Sequence, residues 1–287
     1  MTVETEGKFS AYIGRSETLS ERIDPARVAA LAATLDLPEA PGQGAALPPG
    51  WHWLFFNPFV RRSGIGPDGH PKRGGFLPDV KLPRRMWAGG RLRYHAPLVI
   101  GELAEKQSEI LNVVEKSGRA GQLVFVTVRH RLSQGGRVAI EEEQDIVYRE
   151  AAASGAPKPP AKPAPEAAQS EQIIPDPVLL FRFSALTSNG HRIHYDRAYA
   201  RDEEDYRDLV VHGPLTAVLL QGLAVASRPD ATLSSFTFRG VAPLFADRPF
   251  RIETGSTQAS ELDLWARGPD DELAMSATAE FQPGGAA

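Results

Sequence analysis

The stretch that decides the fold is "HGPLTAVLLQGLAVA", residues 212–226, in the second half of the chain. Pro214 suits the first turn of a helix, and beyond it only Thr216 and Gln221 are polar. A helix that is apolar nearly all round must be buried on most of its sides, and this one is too short to span a bilayer. We therefore predict a buried helix over residues 214–226, enclosed by the rest of this half.

Strand-like runs surround this helix in the sequence. The last of them alternates apolar and polar side chains, which is typical of a strand with one buried face. The strands predicted for this half are Leu179–Ser184, Ser234–Val241, Pro249–Gln258, Glu261–Ala266 and Leu273–Phe281. One long buried helix wrapped by a strongly curved antiparallel sheet is the hot-dog arrangement, and we predict one such unit here.

The first half of the chain has strands but a weaker helix. Its predicted strands, joined in part by Gly-containing hairpin turns at 116–122 and 133–137, are Leu92–Pro97, Gln107–Glu115, Leu123–Leu132 and Val138–Tyr148. Asp24 and Pro25 begin a short amphipathic helix. For residues 40–90, rich in Gly, Pro and aromatic rings, we expect ordered irregular structure packed by those rings. The predicted fold class is α+β, a double hot-dog: two curved antiparallel sheets, each around a central helix, with the N-terminal one degenerate.

The segment "AAASGAPKPPAKPAPEAAQS" divides the chain. It holds five Pro and eight Ala and no large apolar residue, so burial cannot offset the entropy of ordering it, and we expect an exposed, stiff linker. The predicted domains are residues 1–150, the linker 151–170, and residues 171–287, of which the last carries the catalytic residues.

Composition excludes several kinds of site and partner. The 287 residues include 42% hydrophobic and 24% charged residues with a net charge of −4, and no Lys/Arg run dominates a segment, so we expect neither nucleic acid nor a membrane as partner. The absence of cysteine excludes disulfides, thiolate zinc sites and a Cys nucleophile. The acidic start lacks the apolar core of a signal peptide, and we expect a cytoplasmic protein.

A second informative stretch is "FSALTSNGHRIHYDRAYA", residues 183–200, which we call the histidine loop. His191, His194 and Asp196 could ligate a metal, but the spacing of the two histidines is not the usual helical spacing of four. His191 or His212 could also simply satisfy backbone carbonyls at a loop corner. Proton transfer fits better, because a neutral histidine beside a polar side chain can hold a water and take its proton.

The residues His212, Gly213 and Pro214 begin the apolar helix. They could be an ordinary helix start. However, the positive end of a helix and an accessible Gly amide can also stabilise an oxyanion that develops on a carbonyl group. A polar loop followed by this helix would supply both a base and an oxyanion hole.

These motifs resemble a known family. "FRFSALTSNGHRIHYD" with "LVVHGPLTAVLL" is similar to the signature of the MaoC-like, R-specific enoyl-CoA hydratases and dehydratases, which are hot-dog proteins. It most resembles the branch of mesaconyl-C4-CoA and itaconyl-CoA hydratases and type 2 3-hydroxyacyl-thioester dehydratases. "RGGFLPDVKLPRRMWAGGR" and "IEEEQDIVYRE" resemble the dehydratase-like first half of that branch. The resemblance covers most of the chain outside the linker.

The resemblance implies roles for single residues. The family's general base falls on His194, and its catalytic Asp falls on Asn189. A polar Asn of the motif falls on His191, and the oxyanion amide is implied at Gly213. Because an amide does not titrate, His194 would act as base in one step and acid in the other, and His191 could share that work. We expect His191 and His212 to bind substrate.

The reaction implied is reversible syn addition of water to the double bond of a 2-enoyl-CoA thioester. Coenzyme A belongs to the substrate, and neither a metal nor another cofactor is needed. Arg84 and Arg85 are adjacent cations, and one could bind the carboxylate of a C4–C5 dicarboxylic acyl group. Equally, both could be solvated or bind CoA phosphates. We expect a homodimer, although two hot-dog halves within one chain would permit a monomer.

Other functions stay open at this stage. A 3-hydroxyacyl-carrier-protein or -CoA dehydratase of fatty-acid type would need a roomy, uncharged acyl pocket. The protein could also be a non-catalytic acyl-thioester-binding module, in which Asn189 in place of the family's Asp marks the loss of catalysis. A metal-dependent hydrolase would use the loop histidines with Asp196. A thioesterase would need a carboxylate near the helix start, and the acidic run at 202–205 is more typical of a solvated face.

Overall fold

The computed structural model describes residues 7–118, 121–150, 161–256 and 260–283. Its strands are β1 (Ser16–Arg22), β2 (Arg84–Tyr94), β3 (Leu103–Gly118), β4 (Gly121–Gln134), β5 (Arg137–Arg149), β6 (Gln169–Ile173), β7 (Ala231–Gly240), β8 (Phe250–Thr254), β9 (Glu261–Arg267) and β10 (Leu273–Pro283). Its helices are α1 (Pro25–Thr34), α2 (Pro177–Leu186), α3 (Arg197–Asp202) and α4 (Gly213–Ser227). The chain start, the first half of the predicted linker (151–160), part of the turn at 116–122 and the end of the predicted strand Pro249–Gln258 lie outside the described residues.

All ten strands form one antiparallel sheet in which the two halves repeat the same strand order. Read from the centre outward, the order is β2-β5-β4-β3-β1 in the first half and β7-β10-β9-β8-β6 in the second. The halves join where β2 pairs with β7, from Gly89 opposite Arg239 to Arg93 opposite Ser235. This repeat of one topology in both halves confirms the double hot-dog.

The junction of the halves depends on two glycines of β2. A Cβ on Gly89 would lie 2.5 Å from the carbonyl oxygen of Phe238, and one on Gly90 would lie 2.9 Å from the ring of Phe238. No side chain larger than hydrogen fits at that distance, so "AGG" in β2 is what lets the two central strands approach.

Helix α4 is the central helix of the C-terminal half, as the apolar pattern predicts. It packs against β7, β8, β9 and β10. Its two buried polar side chains have partners: the Thr216 hydroxyl donates to His212 O, and the Gln221 amide donates to Ala217 O while its carbonyl accepts from Tyr94 Oη. The N-terminal half has no equivalent helix among its described residues. The ten-residue α1 and a 3-10 turn at Trp51–Leu54 take its place, which is the predicted degeneracy.

The prediction of a strand over Leu179–Ser184 is wrong, because these residues lie within α2. Asp176 accepts from Leu179 N at 2.7 Å and Pro177 occupies the first turn, just as Asp24 and Pro25 begin α1. Leu180 and Phe183 are buried, and α2 packs against α1. A short apolar run does not distinguish a strand from a helix; the preceding Asp-Pro pair is the signal that decides it.

Most of the aromatic rings of residues 40–90 are buried, as expected. Trp51, Trp53, Phe55 and Phe56 belong to the main core. Phe59 differs, because 86% of it is exposed, so the expectation that every ring there packs away from solvent is wrong. Within the described residues, no helix is long and apolar enough to cross a membrane.

Candidate active site

The histidine loop leaves α2 through a backbone turn that fixes Asn189. Its N–H donates to Ser184 O at 2.9 Å, and its side-chain Oδ1 accepts from His191 N at 3.1 Å. The side-chain oxygen therefore shapes the loop. Within the described ranges, the Nδ2 group of Asn189 makes no protein hydrogen bond and is free to donate to a water or a ligand.

The backbone carbonyl of Val210 fixes the orientation of the His194 ring. Its Nδ1 lies 2.7 Å from Val210 O, an arrangement in which Nδ1 carries the proton and donates it. The lone pair is then on Nε2, which makes no hydrogen bond within the described residues. Burial lowers the pKa of His194 to about 4, although the bond to Val210 O raises it, so the ring is neutral at pH 7.

The ring of His212 packs against one face of the His194 ring. The two rings are stacked with centroids 3.7 Å apart and planes 18° apart. The Nε2 atom of His212 lies 2.8 Å from Ser184 Oγ, and none of the residue is exposed. In this arrangement His212 packs behind the base and does not line the open side of the site, where we expected it to bind substrate.

Gly213 is the first residue of α4, whose first N–H groups have no acceptor within the helix. The residue is half-buried, and a Cβ placed on it would meet no heavy atom within 4 Å. Its amide lies at the positive end of a fifteen-residue helix.

A loop of the N-terminal half brings two further groups to the site, and the sequence analysis did not identify them. They are Asp68 and His70, in "PDGHP". The rings of His70 and His191 lie 4.3 Å apart, and His191 in turn makes an edge contact with His194 at 5.7 Å. Asp68 Oδ2 lies 3.3 Å from His70 Nδ1. The only signal in the sequence was an Asp and a His close together in a turn.

Close backbone contact holds this loop against the histidine loop. A Cβ on Gly69 would lie 1.8 Å from Gly190 O, and one on Gly190 would lie 2.4 Å from Gly69 O. Arg192 N also donates to Asp68 O at 2.9 Å. The two halves of the chain therefore form the site together.

The structure separates the two candidate arginines. Arg84 donates to Glu204 O at 2.6 Å, and its Nε lies 3.4 Å from a carboxylate oxygen of the same residue. Arg85 is half-buried and lies near His70, His191 and Tyr148, with which it interacts electrostatically. Among the described residues, no carboxylate lies within 4.0 Å of the Arg85 guanidinium, so it remains available to an anion.

The metal alternative with His191, His194 and Asp196 has no support in the geometry. Asp196 caps α3 by accepting from Tyr199 N at 3.0 Å and pairs with Arg192 at 2.7 Å. The His194 Nδ1 atom is bonded to Val210 O. A different set has ligand-capable atoms within 4.8 Å of one another: Asp68, His70 and His191.

A pocket of about 520 Å³ adjoins the histidine loop. It lies between α2 and the N-terminal half and is lined by residues that include Phe56, Phe59, Leu186 and Ser188. Ser188 directly precedes Asn189 in the chain, but His70, His191, His194 and Gly213 do not line the pocket. Phe56 lines this pocket, whereas Trp51, Trp53 and Phe55 pack in the core.

Two curated proteins are similar to this chain over most of its length. The chain is 51% identical to the mesaconyl-C4-CoA hydratase of Chloroflexus aurantiacus over 277 residues, which cover 95% of this chain and 98% of that protein. It is 30% identical to the mitochondrial hydroxyacyl-thioester dehydratase type 2 of Schizosaccharomyces pombe over 240 residues, 74% of this chain and 79% of that one.

Solved structures confirm the fold. HtdX of Mycobacterium tuberculosis superposes with a TM-score of 0.69 at 18% identity, covering 93% of this chain and all of that one. A second M. tuberculosis protein, described as having a double hotdog fold, gives a TM-score of 0.56 at 13% identity and covers 94% of this chain and 96% of that one.

The family resemblance stated from the sequence motifs is likewise confirmed. The family model for hydroxyacyl-thioester dehydratase type 2 matches residues 50–246, a span that runs from the first buried tryptophan region through α4 to the strand β7 and beyond. The match includes both loops that meet at the site, and it makes the chain an enzyme of the hydro-lyase type. The chain belongs to the hydroxyacyl-thioester dehydratase type 2 family.

Proposed function

We propose that this protein catalyses reversible hydration of a short 2-enoyl-CoA thioester whose acyl group carries a second, free carboxylate, of the mesaconyl-C4-CoA or itaconyl-CoA type. The observation that carries the proposal is the neutral His194, with a free Nε2, close to the first-turn amide of Gly213. The 51% identity to a mesaconyl-C4-CoA hydratase supports this substrate class.

The chemistry follows from those two groups. In the hydration direction, His194 Nε2 takes a proton from water as the water oxygen bonds to C3. The electrons of the double bond move through C2 to the thioester carbonyl, whose oxygen becomes negative. The Gly213 N–H and the positive end of α4 stabilise that oxyanion. The enolate then takes a proton at C2, which completes the addition of water.

Arg85 is the group that supports a dicarboxylic substrate. A half-buried guanidinium without a carboxylate partner is an incomplete ion pair, and a substrate carboxylate would complete it in bidentate geometry. Arg84 does not fit this role, because its guanidinium is already paired with the carboxylate of Glu204. Arg85 also lies beside the histidines, where the acyl end of the substrate must be.

Coenzyme A enters with the substrate, and the proposal requires no other cofactor. The pocket between α2 and the N-terminal half, with Phe56 and Phe59 on its wall, is suited to the thioester arm. We further propose that the protein is cytoplasmic and works as a homodimer, since paired hot-dog units are common in this fold. Size-exclusion chromatography with light scattering tests the dimer.

Enoyl-thioester absorbance measured with the purified protein tests the function. The substrates are mesaconyl-C4-CoA, itaconyl-CoA, crotonyl-CoA and octenoyl-CoA, each with the parent protein and with His194→Ala. Turnover of the dicarboxylic thioesters alone, lost in the variant, is the expected result. Equal activity of His194→Ala and parent would remove His194 from the mechanism.

A second candidate is dehydration of a 3-hydroxyacyl thioester of fatty-acid type. The observation in its favour is the 30% identity to the S. pombe hydroxyacyl-thioester dehydratase type 2. Turnover of crotonyl-CoA and octenoyl-CoA alone would favour it over the dicarboxylic substrate. Binding of CoA esters without any turnover would instead indicate a non-catalytic binding module.

A further inference from the structure

The histidine loop lacks the carboxylate that its proton chemistry calls for. Asn189 stands at the position of the expected acid and does not titrate. Asp196 is occupied as the cap of α3. Among the described residues, the one carboxylate paired with a histidine of the site is Asp68, and its partner His70 comes from the other half of the chain.

Asp68 holds His70 by two contacts. Its Oδ1 accepts from the backbone N–H of His70 at 3.0 Å, and its Oδ2 lies 3.3 Å from His70 Nδ1. A carboxylate beside Nδ1 fixes the proton on that atom and leaves Nε2 for a second partner. The side chain of His70 is 20% exposed, so a substrate can reach it, in contrast to the fully buried His212.

We propose that His70, held by Asp68, is a second proton-transfer residue of the site and gives the proton to C2 in the hydration direction. The proposal rests on the hydratase function proposed above and assigns the step that His194 leaves open. It divides the two proton transfers between two histidines instead of returning both to His194.

The protonation state of the cluster suits this division. Burial lowers the pKa of His194 to about 4 and that of His191 to about 2, and neither has a carboxylate partner. The pKa of His70 is also lowered, mainly by burial and further by Arg85 and Arg73, and the hydrogen bond and charge of Asp68 offset this only in part. Of the three rings, His70 is the one with a carboxylate oxygen at 3.3 Å from its Nδ1, so Asp68 stabilises a proton on His70 more than on His191 or His194.

The step balances as follows. His194 takes a proton from water while the hydroxyl adds to C3. The His70 imidazolium gives its Nε2 proton to C2, and the enolate electron pair forms the new C2–H bond. His70 is then neutral, with its Nδ1 proton still shared with Asp68. The proton gained by His194 returns to His70 through His191, which contacts both rings, or through solvent.

The charged and titratable groups around His70 come from three parts of the chain. Asp68 and Arg73 lie on its own loop, Arg85 projects from β2, and His191 and His194 belong to the histidine loop. Asp68 favours the imidazolium, while the two arginines oppose it. Removal of Asp68 should therefore shift the titration of His70 towards lower pH.

The first test compares hydration by the parent with hydration by His70→Ala and His70→Gln, using the dicarboxylic thioester that the parent turns over. We expect kcat to fall by about 100-fold or more in both variants, with the dissociation constant for the thioester changed little. The glutamine side chain keeps an N–H group that can donate to Asp68. A fall in kcat in His70→Gln is therefore not explained by loss of that structural contact alone. Imidazole added to His70→Gly should restore part of the rate.

The matched control is His95→Ala. His95 also lies beside a carboxylate, that of Glu141 at 3.3 Å, but it is on the surface.

The second test is the pH profile of hydration in Asp68→Asn. The alkaline limb should move to lower pH, because loss of the carboxylate destabilises the imidazolium. Parent-like kcat in both His70→Ala and His70→Gln, or an unmoved limb in Asp68→Asn, would overturn the inference. The inference would also be overturned if EDTA abolished activity and a divalent cation were found bound to Asp68, His70 and His191. An inactive parent would overturn the proposed function as well, whereas an active parent with active His70 variants overturns this inference alone.

Discussion

His194 stacks on His212 at 3.7 Å, and His212 immediately precedes the Gly213 amide at the start of α4. One buried helix end therefore positions both His194 and the Gly213 amide, the base and the oxyanion donor of the proposed reaction. Ser184, at the end of α2, completes the arrangement by bonding His212 Nε2. Because these groups are fixed by packing, the relative placement of base and oxyanion hole does not depend on flexible side chains.

Substitution of His212 should therefore affect both stability and rate. His212→Ala removes the ring behind His194 and leaves the buried Ser184 hydroxyl without its partner, which costs about 1–3 kcal/mol of the free energy of unfolding in addition to the cavity. We expect kcat to fall, because His194 loses its support. Urea unfolding and steady-state kinetics measure the two effects. Ser184→Ala leaves the buried Nε2 of His212 without its partner but removes no ring, so it should cost about 1–3 kcal/mol without the larger cavity. Full kcat and stability in His212→Ala would contradict this view.

Arg85→Gln should change substrate preference. Loss of a charge-assisted bidentate contact worth about 1.5–3 kcal/mol should raise KM for a dicarboxylic thioester roughly 10- to 100-fold. KM for crotonyl-CoA, which has no second carboxylate, should stay the same. Arg93→Gln is the control, since Arg93 is an exposed arginine of the same strand. An equal rise in KM for both thioesters would show that Arg85 contacts the CoA portion instead.

Acid should destabilise the protein from about pH 6.5 downward. Burial lowers the pKa of His130 to about 4, and it lowers those of His191 and His194 as well, from an ordinary value of 6.5. Below pH 6.5 the unfolded chain therefore binds more protons at these histidines than the folded chain does. The stability present above pH 6.5 is lost as pH falls towards 4. Unfolding measured in urea at several pH values should show a loss of a few kcal/mol across this window. A free energy of unfolding that is flat between pH 7 and 5 would contradict the buried, neutral state of these histidines.

The importance of the contact between Gly69 and Gly190 can be tested by alanine substitution, with Gly14, a glycine of similar backbone conformation, as the control. Gly69 has φ +89° and Gly14 has φ +81°, but only at Gly69 would a Cβ collide with another backbone, 1.8 Å from Gly190 O. Both alanine substitutions carry the conformational cost of a positive φ, on the order of 1 kcal/mol. Gly69→Ala should cost clearly more and should also reduce activity, because it separates the two loops. Equal thermal stability and activity of the two variants would mean that the loops need not touch.

Local patterns were sufficient to predict most of the fold. The apolar helix α4, the hairpin turn with Gly135 and Gly136 and the Asp24 cap all depend on neighbours in sequence, so the sequence alone identifies them. The strand prediction over Leu179–Ser184 failed because a short apolar run has no decisive period, although Asp176 and Pro177 repeat the helix start seen at α1.

The site could be predicted only in part, for a physical reason. His194, Gly213 and Asn189 share one stretch of chain, so their spacing carries information. Asp68 and His70 reach the site through tertiary packing of the other half, which no local pattern reports. Arg84 and Arg85 begin β2, within the span 40–90 for which irregular structure was predicted. The sequence prediction therefore did not indicate that these successive side chains point to opposite faces of a strand.

The central claim is that water adds to an enoyl thioester with His194 as the base. The most direct test incubates mesaconyl-C4-CoA in ¹⁸O-labelled water with the parent or with His194→Ala and follows the products by mass spectrometry. Our account predicts a hydroxyacyl-CoA that carries one labelled oxygen, formed by the parent and lost with the variant. Release of free coenzyme A with label in the acid would identify a thioesterase, and undiminished labelling by His194→Ala would refute the assignment of the base.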